Sequence, residues 1–431
     1  MVKTPNDHSS RRLRNIIGGS AGNLVEWFDW YVYSAFALYF AHSFFPKGDQ
    51  TAQLLQTAAI FAVGFLMRPV GAWLMGVYAD HKGRKAGLTL SVSLMCFGSL
   101  LIAVAPSYAQ VGVLSPAILL IARLIQGLSL GGEYGSSATY LSEIADRARR
   151  GFWSSFQYVT IIGGQLTALA LLVFLQATLG EEAMQAWGWR IGFGAGALLA
   201  IVAFIIRRRL DETLSYENVA AKADRRRSTV GNLFRDHPRE AFLVMALTAG
   251  GTAAFYAYTI YMQKFLANTS GFNRATASRI MTVALTVMLF IGPIAGRISD
   301  RVGRRPMMIF FGVGATLFTY PIFATLEHAH SAIAAFALVM ASLVIVTGYT
   351  SINAIIKAEM FPADIRALGV ALPFAIANAI FGGTAEYVAL YLKNIGHERW
   401  FYIYISLLAA CSLVAYVRMR ETKTTSLIEE D

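Results

Sequence analysis

Five ionisable side chains interrupt long apolar runs in the first third of the sequence. They are Glu26, Asp29, Arg68, Arg123 and Glu133. A charge at the centre of a membrane helix costs about 2.5 to 3.5 kcal/mol, so such side chains face a cavity or pair with one another. Guanidinium–carboxylate pairs could open and close during a working cycle or could fix neighbouring helices permanently, and both interpretations stay open.

The polar positions recur at helical spacing, so helices must carry them. The first helix has a polar face with intervals of three, three and four residues, made of Asn23, Glu26, Asp29 and Tyr33. The fourth helix places Gln126 and Glu133 beside the face that carries Arg123. Its Gly127 and Gly131, four residues apart, permit a neighbouring helix to approach closely.

The fifth and seventh helices carry uncharged polar residues that could bind a carboxylate or ketone oxygen. On the fifth helix these are Gln157, Tyr158 and Gln165. On the seventh they form one face beside Lys264, made of Thr252, Tyr256, Thr259 and Gln263. Packing and interhelical hydrogen bonding explain these polar positions equally well, and Lys264 could instead extend to the lipid headgroups.

Composition predicts that these helices lie in a membrane. The chain of 431 residues is 56% hydrophobic and 15% charged, with a mean hydropathy of +0.50, whereas soluble domains are about 25% charged. Apolar runs long enough to span a bilayer recur from Ile16 to Val417, and we count twelve. We predict an all-α membrane protein with a cytoplasmic tail 1–16, an N-terminal six-helix bundle 17–206, a cytoplasmic linker 207–239, a C-terminal six-helix bundle 240–420 and a cytoplasmic tail 421–431.

The net charge of +11 follows the predicted topology and does not require a nucleic-acid partner. Most Lys and Arg residues fall in the tails and in the loops on one side, including the arginine runs 207–209 and 225–227. The loops on the opposite side hold Lys47, Arg274, Lys393 and Arg399. The positive-inside rule therefore predicts that both termini are cytoplasmic, and we expect the linker charges to face lipid headgroups.

A loop motif occurs twice, 220 residues apart. Its copies are Gly76-Val-Tyr-Ala-Asp80-His-Lys-Gly83-Arg84-Lys85 and Gly296-Arg-Ile-Ser-Asp300-Arg-Val-Gly303-Arg304-Arg305. Each glycine permits a tight loop, and each aspartate can cap a neighbouring helix and meet an arginine at the cytoplasmic face. We predict a conformational latch formed by Asp80, Arg84, Asp300 and Arg304. A basic loop with a turn glycine would explain the arginines but not two copies in register.

The repeated loop resembles the signature of the major facilitator superfamily. Further segments resemble the α-ketoglutarate permease branch of its metabolite:proton symporters, namely Gly22-Asn-Leu-Val-Glu26-Trp-Phe-Asp29, Gly64-Phe-Leu-Met-Arg68-Pro69, Gly131-Gly-Glu133-Tyr-Gly135, Phe156-Gln157-Tyr158, Tyr261-Met-Gln-Lys264 and Asn378-Ala-Ile-Phe-Gly-Gly-Thr-Ala-Glu386-Tyr387. The resemblance implies a dicarboxylate substrate and proton coupling. It also implies that Arg123 governs proton movement and lies opposite Asp29, which occupies the position of the protonatable aspartate in sugar:proton symporters. We expect a protein of the cell inner membrane that works as a monomer.

The resemblance suggests a mechanism. A dicarboxylate would compete for Arg68 and Arg123 and free Asp29 or Glu26 to take a proton, with Glu133 in the same proton-coupling set. The neutralised cavity would then permit the two halves to rock. Symport of citrate, shikimate, proline or betaine, coupling to sodium, and a membrane sensor that does not transport all stay open as alternatives.

Other function classes lack their motifs. The phosphate-binding loop of an ATP-driven pump is absent, so an ion gradient must supply the energy. We place His42, His81, His237, His328, His330 and His397 in loops and see no metal cluster among them. Cys96 and Cys411 lie far apart in apolar spans, and we predict that they are plain core residues. No nucleophile, base and orienting group form a catalytic arrangement, so we predict neither an enzyme nor a metal or cofactor.

Overall fold

A computed structural model describes residues 5–82, 84–131, 147–208, 230–363 and 365–428, together with 138, 142 and 145. Side chains are described from residue 24 onward, except at 76–77, 79–88, 203 and 206–208. The long helices are α1 (Pro5–Phe44), α2 (Gln50–Lys82), α3 (Arg84–Val104), α4 (Leu114–Leu130), α5 (Arg150–Ala183), α6 (Trp189–Arg208), α7 (Pro238–Tyr256, continuing through Ala257–Tyr261 and Met262–Asn268), α8 (Arg274–Val302), α9 (Arg304–Leu326), α10 (Ala332–Thr350, continuing as Asn353–Glu359), α11 (Arg366–Ala377, continuing through Asn378–Gly382 and Ala385–Asn394) and α12 (Arg399–Arg418).

The helices pack in two groups that follow chain order. In the first group, α3 packs on α6 and α4, α2 on α4, and α1 on α5 and α6. In the second, α9 packs on α12 and α10, α7 on α12 and α11, and α8 on α10. The two groups, called bundles below, meet where α5 packs on α8 and where α2 packs on α11. The limits that we give for the domains stay a prediction.

Eight of the described helices are long and apolar enough to cross a membrane by length and composition. One of them runs from Arg147 to Val202 and joins α5 to α6, although Gly180 breaks it with a φ of 76°. Two shorter apolar helices, Thr89–Val104 and Leu114–Leu130, lie between the longer ones. The chain is therefore a multi-pass membrane protein, and the count of twelve spans stays a prediction.

Glycines let α4 pack directly on α2, as the sequence predicts. A Cβ atom at Gly127 would overlap the carbonyl oxygen of Gly64, and one at Gly131 would overlap the carbonyl oxygen of Arg68. Only helices without side chains at the contact can approach this closely. The contact brings the helix of Arg68 against the helix of Arg123.

Both α7 and α11 contain a π-helical turn, at Ala257–Tyr261 and at Asn378–Gly382. The hydroxyl of Thr252 on α7 donates a hydrogen bond to the side-chain oxygen of Asn378 at the second turn. Such turns are common at functional sites because they interrupt the regular backbone hydrogen bonds. The irregular backbone of the second bundle thus lies where α7 meets α11.

Two of the sequence predictions are wrong. His42 and His81 lie in helices and not in loops, because α1 continues to Phe44 and α2 continues to Lys82. Cys411 is exposed on α12 and Cys96 is only half-buried, so neither is a core residue. Both cysteines lie on helix faces that an apolar composition alone cannot distinguish from the core.

Candidate functional site

Arg68 of α2 and Arg123 of α4 meet at the indole of Trp30 on α1. Their guanidinium carbons lie 4.2 Å and 3.8 Å from the Trp30 ring centroid, so they are within about 8 Å of each other. The ring of Phe65 lies 3.9 Å from the Arg68 guanidinium, and that of Tyr33 lies 4.3 Å from the Arg123 guanidinium. Aromatic rings attract guanidinium groups electrostatically. Two cations are thus held together in a buried aromatic box.

Several N–H donors of these arginines lack an acceptor. Within the described part of the chain, Nε and Nη2 of both Arg68 and Arg123 have no hydrogen-bond partner. Arg123 is fully buried and Arg68 is 6% exposed. A buried charged donor without an acceptor is costly, and such groups in native proteins call for a functional explanation. A planar guanidinium binds a carboxylate through two parallel hydrogen bonds, so this site suits an anion with carboxylate groups.

Asp29 reaches Arg123 through Gln126 and not directly. Arg123 Nη1 donates to Gln126 Oε1 at 2.8 Å, and Gln126 Nε2 donates to Asp29 Oδ2 at 2.8 Å. The hydroxyl of Ser99 on α3 donates to the other carboxylate oxygen of Asp29. The structure therefore brings the predicted pair into one network, but an amide separates the two charges. The role of that pair in proton coupling stays a prediction.

A second charged group joins the two bundles. Lys264 Nζ lies 2.8 Å from Glu386 Oε1 and donates to Ser34 Oγ at 2.6 Å. Lys264 is fully buried and Glu386 is 3% exposed, so Lys264 does not extend to the lipid headgroups. Sequence reasoning treated Lys264 and Glu386 separately and missed their pairing.

The uncharged residues predicted to bind substrate lie where the bundles meet. Tyr158 accepts a hydrogen bond from Asn353 Nδ2 at 3.0 Å, and Gln165 Nε2 donates to the carbonyl oxygen of Thr259 at 2.6 Å. The ring of Tyr256 packs against Phe65 of the other bundle, with centroids 5.2 Å apart, and Gln157 is buried. These contacts connect the bundles, and a role in substrate binding stays a prediction.

At the predicted cytoplasmic end, Asp300 caps the first turn of α5. Its carboxylate accepts from the backbone N–H groups of Gly151 at 2.7 Å and Phe152 at 2.9 Å. Arg304 Nη1 donates to the same carboxylate at 2.9 Å, and Arg304 Nη2 lies 3.5 Å from Glu359. A carboxylate is stabilising at a helix N-terminus. The second loop motif thus contacts the first bundle, and its action as a latch stays a prediction.

The C-terminal segment 419–428 covers this contact. Glu421 accepts from the backbone N–H groups of Arg304 and Arg305, at 2.8 Å and 3.0 Å, beside Gly303 with its φ of 103°. Lys423 Nζ donates to the carbonyl oxygen of Asp300 at 2.6 Å. The sequence predicts this segment only as a tail, since it has no periodic pattern.

Part of the predicted site lies outside the residues that the structure describes. Glu133 and the side chains of Asp80 and Arg84 lie outside the described residues. Glu26 is 2% exposed and therefore buried with the rest of the charged set. Its role in proton coupling stays a prediction.

The two helical bundles enclose buried charges of both signs. This arrangement is typical of membrane transport proteins with a central binding site. The chain belongs to the Major Facilitator Superfamily, whose model matches residues 20–383. It is 54% identical to alpha-ketoglutarate permease of Escherichia coli K12, over 98% of this chain and 97% of that relative. A citrate-proton symporter of Klebsiella pneumoniae is 33% identical over 94% of this chain and 91% of that protein. Proline/betaine transporter of Salmonella typhimurium is 28% identical over 96% of this chain and 85% of its own length.

Solved structures support the fold. The proton:xylose symporter XylE bound to 6-bromo-6-deoxy-D-glucose superimposes with a TM-score of 0.76, covering 96% of this chain and 97% of that one. At 18% identity, this likeness concerns the fold alone.

Proposed function

We propose that the protein takes up a small dicarboxylate, α-ketoglutarate in particular, together with a proton. The observation that carries the proposal is the pair of buried arginines at Trp30, whose Nε and Nη2 donors have no acceptor among the described residues. Each of the two guanidinium groups would bind one of the two substrate carboxylates. The close relationship to an alpha-ketoglutarate permease supports the same substrate.

Transport would proceed by alternating access. The arginines are buried, so substrate can enter only when the bundles separate on one side. The contacts of Asp300 with α5, and of Lys264 with Ser34, are those that would open in turn. A proton on Asp29 or Glu26 would balance charge as the bundles rock.

The remaining features follow from the predicted topology. We place twelve spans in the cell inner membrane, with both termini in the cytoplasm and the linker at the lipid headgroups. The unit would be a monomer that binds no nucleic acid and performs no catalysis.

A second candidate substrate is citrate. Two arginines suit any small anion with two or more carboxylates, and two citrate-proton symporters are among the relatives. Proline and betaine carry one carboxylate each and would leave one guanidinium unpaired.

The test is uptake of labelled α-ketoglutarate into proteoliposomes. An inside-alkaline gradient should drive accumulation above equilibrium, and succinate or citrate should compete more strongly than shikimate or betaine. Inhibition by betaine alone would contradict the dicarboxylate proposal. Asp29→Asn should retain counterflow exchange but lose proton-driven accumulation, and if it still accumulates substrate, Asp29 is not the proton site.

A further inference from the structure

Among the described residues, Gln126 is the side chain that hydrogen-bonds to both Arg123 and Asp29. Its Oε1 accepts from Arg123, and its Nε2 donates to Asp29 Oδ2 and, at 2.9 Å, to Ser99 Oγ. Gln126 is fully buried, and no direct ion pair joins Arg123 to Asp29 among the described residues. The hydrogen-bonded connection from one charge to the other therefore passes through this amide, while their Coulomb attraction acts through space.

The partners fix which way the amide faces. A guanidinium can only donate hydrogen bonds, and an ionised carboxylate can only accept them. The amide oxygen must therefore face Arg123, and the amide nitrogen must face Asp29, for as long as Asp29 is charged. A protonated Asp29 gains an O–H donor, and then the reversed amide becomes compatible with it.

The neighbouring helices leave room for the amide and the carboxylate. A Cβ atom at Gly98 on α3 would lie 2.6 Å from Gln126 Cγ, and one at Gly196 on α6 would overlap Asp29 Oδ1. Within the described residues, the titratable or charged groups that face Asp29 are Arg123 on α4 and Cys96 on α3. The site is thus built from four helices of one bundle around one amide.

We propose that Gln126 is a positioning residue that couples substrate at Arg123 to the proton at Asp29 by reversal of its side-chain amide. This proposal rests on the proposed symport function. A substrate carboxylate that binds Nε and Nη2 of Arg123 draws the guanidinium away from Gln126, so that Gln126 Oε1 is left buried without a donor. The amide then turns its oxygen toward Asp29, where only a protonated carboxyl can supply the hydrogen bond.

The proton step is simple in chemical terms. A hydronium ion at the open side of the site gives its proton to Asp29 Oδ2 and leaves as water, and the new O–H group donates to Gln126 Oε1. Nε2 turns away from Asp29 in the same movement, so the carboxyl loses a donor that favoured its charged form. By thermodynamic reciprocity, a proton on Asp29 favours substrate binding at Arg123 by the same factor.

The test counts the protons taken up when substrate binds. Calorimetric titration of the purified full chain with α-ketoglutarate, at one pH in two buffers of different ionisation enthalpy, measures this number directly. The wild-type protein should take up a substantial fraction of one proton per substrate. Gln126→Met has similar length but no hydrogen-bonding groups, and it should bind substrate within about tenfold of wild type while proton uptake falls close to zero.

Gln176→Met is the matched control. Gln176 lies on α5 and donates to Tyr39 at 2.8 Å, so the variant loses an amide without touching Asp29. It should take up as many protons as wild type.

The outcomes separate the two proposals. Wild-type proton uptake in Gln126→Met would overturn the role of Gln126 and leave symport intact. No proton uptake in the wild-type protein would overturn the symport proposal itself. If Gln126→Met does not fold, Gln126→Asn tests the same proposal, because the shorter amide cannot bridge Arg123 to Asp29. Wild-type proton uptake in Gln126→Asn would also contradict the role of Gln126.

Discussion

The ammonium group of Lys264 lies 2.8 Å from the carboxylate of Glu386, and both side chains are buried between α7 and α11. Ser34 of the first bundle donates to Glu386 at 3.4 Å and accepts from Lys264, so the pair also connects the bundles. Removing one partner of a buried ion pair leaves an uncompensated charge, which typically costs about 3 to 5 kcal/mol. The pair is therefore a structural contact. Removing one partner should destabilise the protein even if substrate does not bind there.

A double-mutant cycle separates structure from substrate binding at this pair. Lys264→Met and Glu386→Gln alone should each lower the thermal stability of the purified protein, and the double variant should recover most of the loss. If Lys264 also binds the second substrate carboxylate, the double variant should still show a raised KM for α-ketoglutarate. Full recovery of both stability and KM would contradict the predicted binding role of Lys264, and equal losses in single and double variants would contradict the ion pair.

Arg68→Met should weaken substrate binding and raise the stability of the protein. The change removes a buried cation with two unpaired donors, and each unpaired buried donor costs about 1 to 3 kcal/mol, so the variant should be more stable than wild type. It also removes charge-assisted hydrogen bonds to substrate, each worth about 1.5 to 3 kcal/mol, so binding should weaken at least about tenfold. Thermal unfolding and substrate titration of the same sample measure the two effects.

Arg68→Lys is the control, because it keeps the positive charge but lacks the planar guanidinium group that binds a carboxylate through two parallel hydrogen bonds. It should bind substrate more weakly than wild type but better than Arg68→Met. Unchanged binding in Arg68→Met would remove Arg68 from the proposed site.

Sequence reasoning could predict the charged site because insertion energy applies to every buried charge. Helical spacing and the resemblance together predicted Asp29 opposite Arg123, and both enter one network. The bridging position of Gln126 and the contact of Ser99 could not be predicted, since periodicity gives the face of a helix but not its rotation against its neighbours. A serine in a membrane helix gives no signal of its own.

The Lys264–Glu386 pair is predictable from the sequence. The insertion cost that indicated pairing in the first half applies equally to one lysine and one glutamate near the same end of two helices. The packing of 419–428 against the Asp300 contact had no such signal, because these contacts of the segment are to backbone groups at the ends of α8 and α9.

Glu421 should contribute stability as a cap of α9. Loss of an N-terminal capping acceptor costs about 0.5 to 2 kcal/mol, so Glu421→Ala should lower the free energy of unfolding by that amount and loosen the contact of Asp300 with α5. Thr424→Ala, an exposed change in the same segment, should stay within about 0.5 kcal/mol of wild type. Equal stability of Glu421→Ala and Thr424→Ala would show that the segment does not hold the latch.

Acid should weaken one cluster at the predicted outer end of the second bundle. Burial opposes ionisation of Glu327, but hydrogen bonds from Arg399 at 2.9 Å and Tyr402 at 2.7 Å lower its pKa below the usual value of 4.5. A lowered folded-state pKa means that the cluster stabilises the protein fully above about pH 4.5 and loses this effect as the pH falls through the folded value. Glu327→Gln should therefore unfold at a lower temperature than wild type at pH 7, and the difference should shrink as the pH is lowered to 3.5. The exposed Glu182→Gln serves as the matched control, and a difference for Glu327→Gln that stays constant over this range would contradict the ionic origin of the effect.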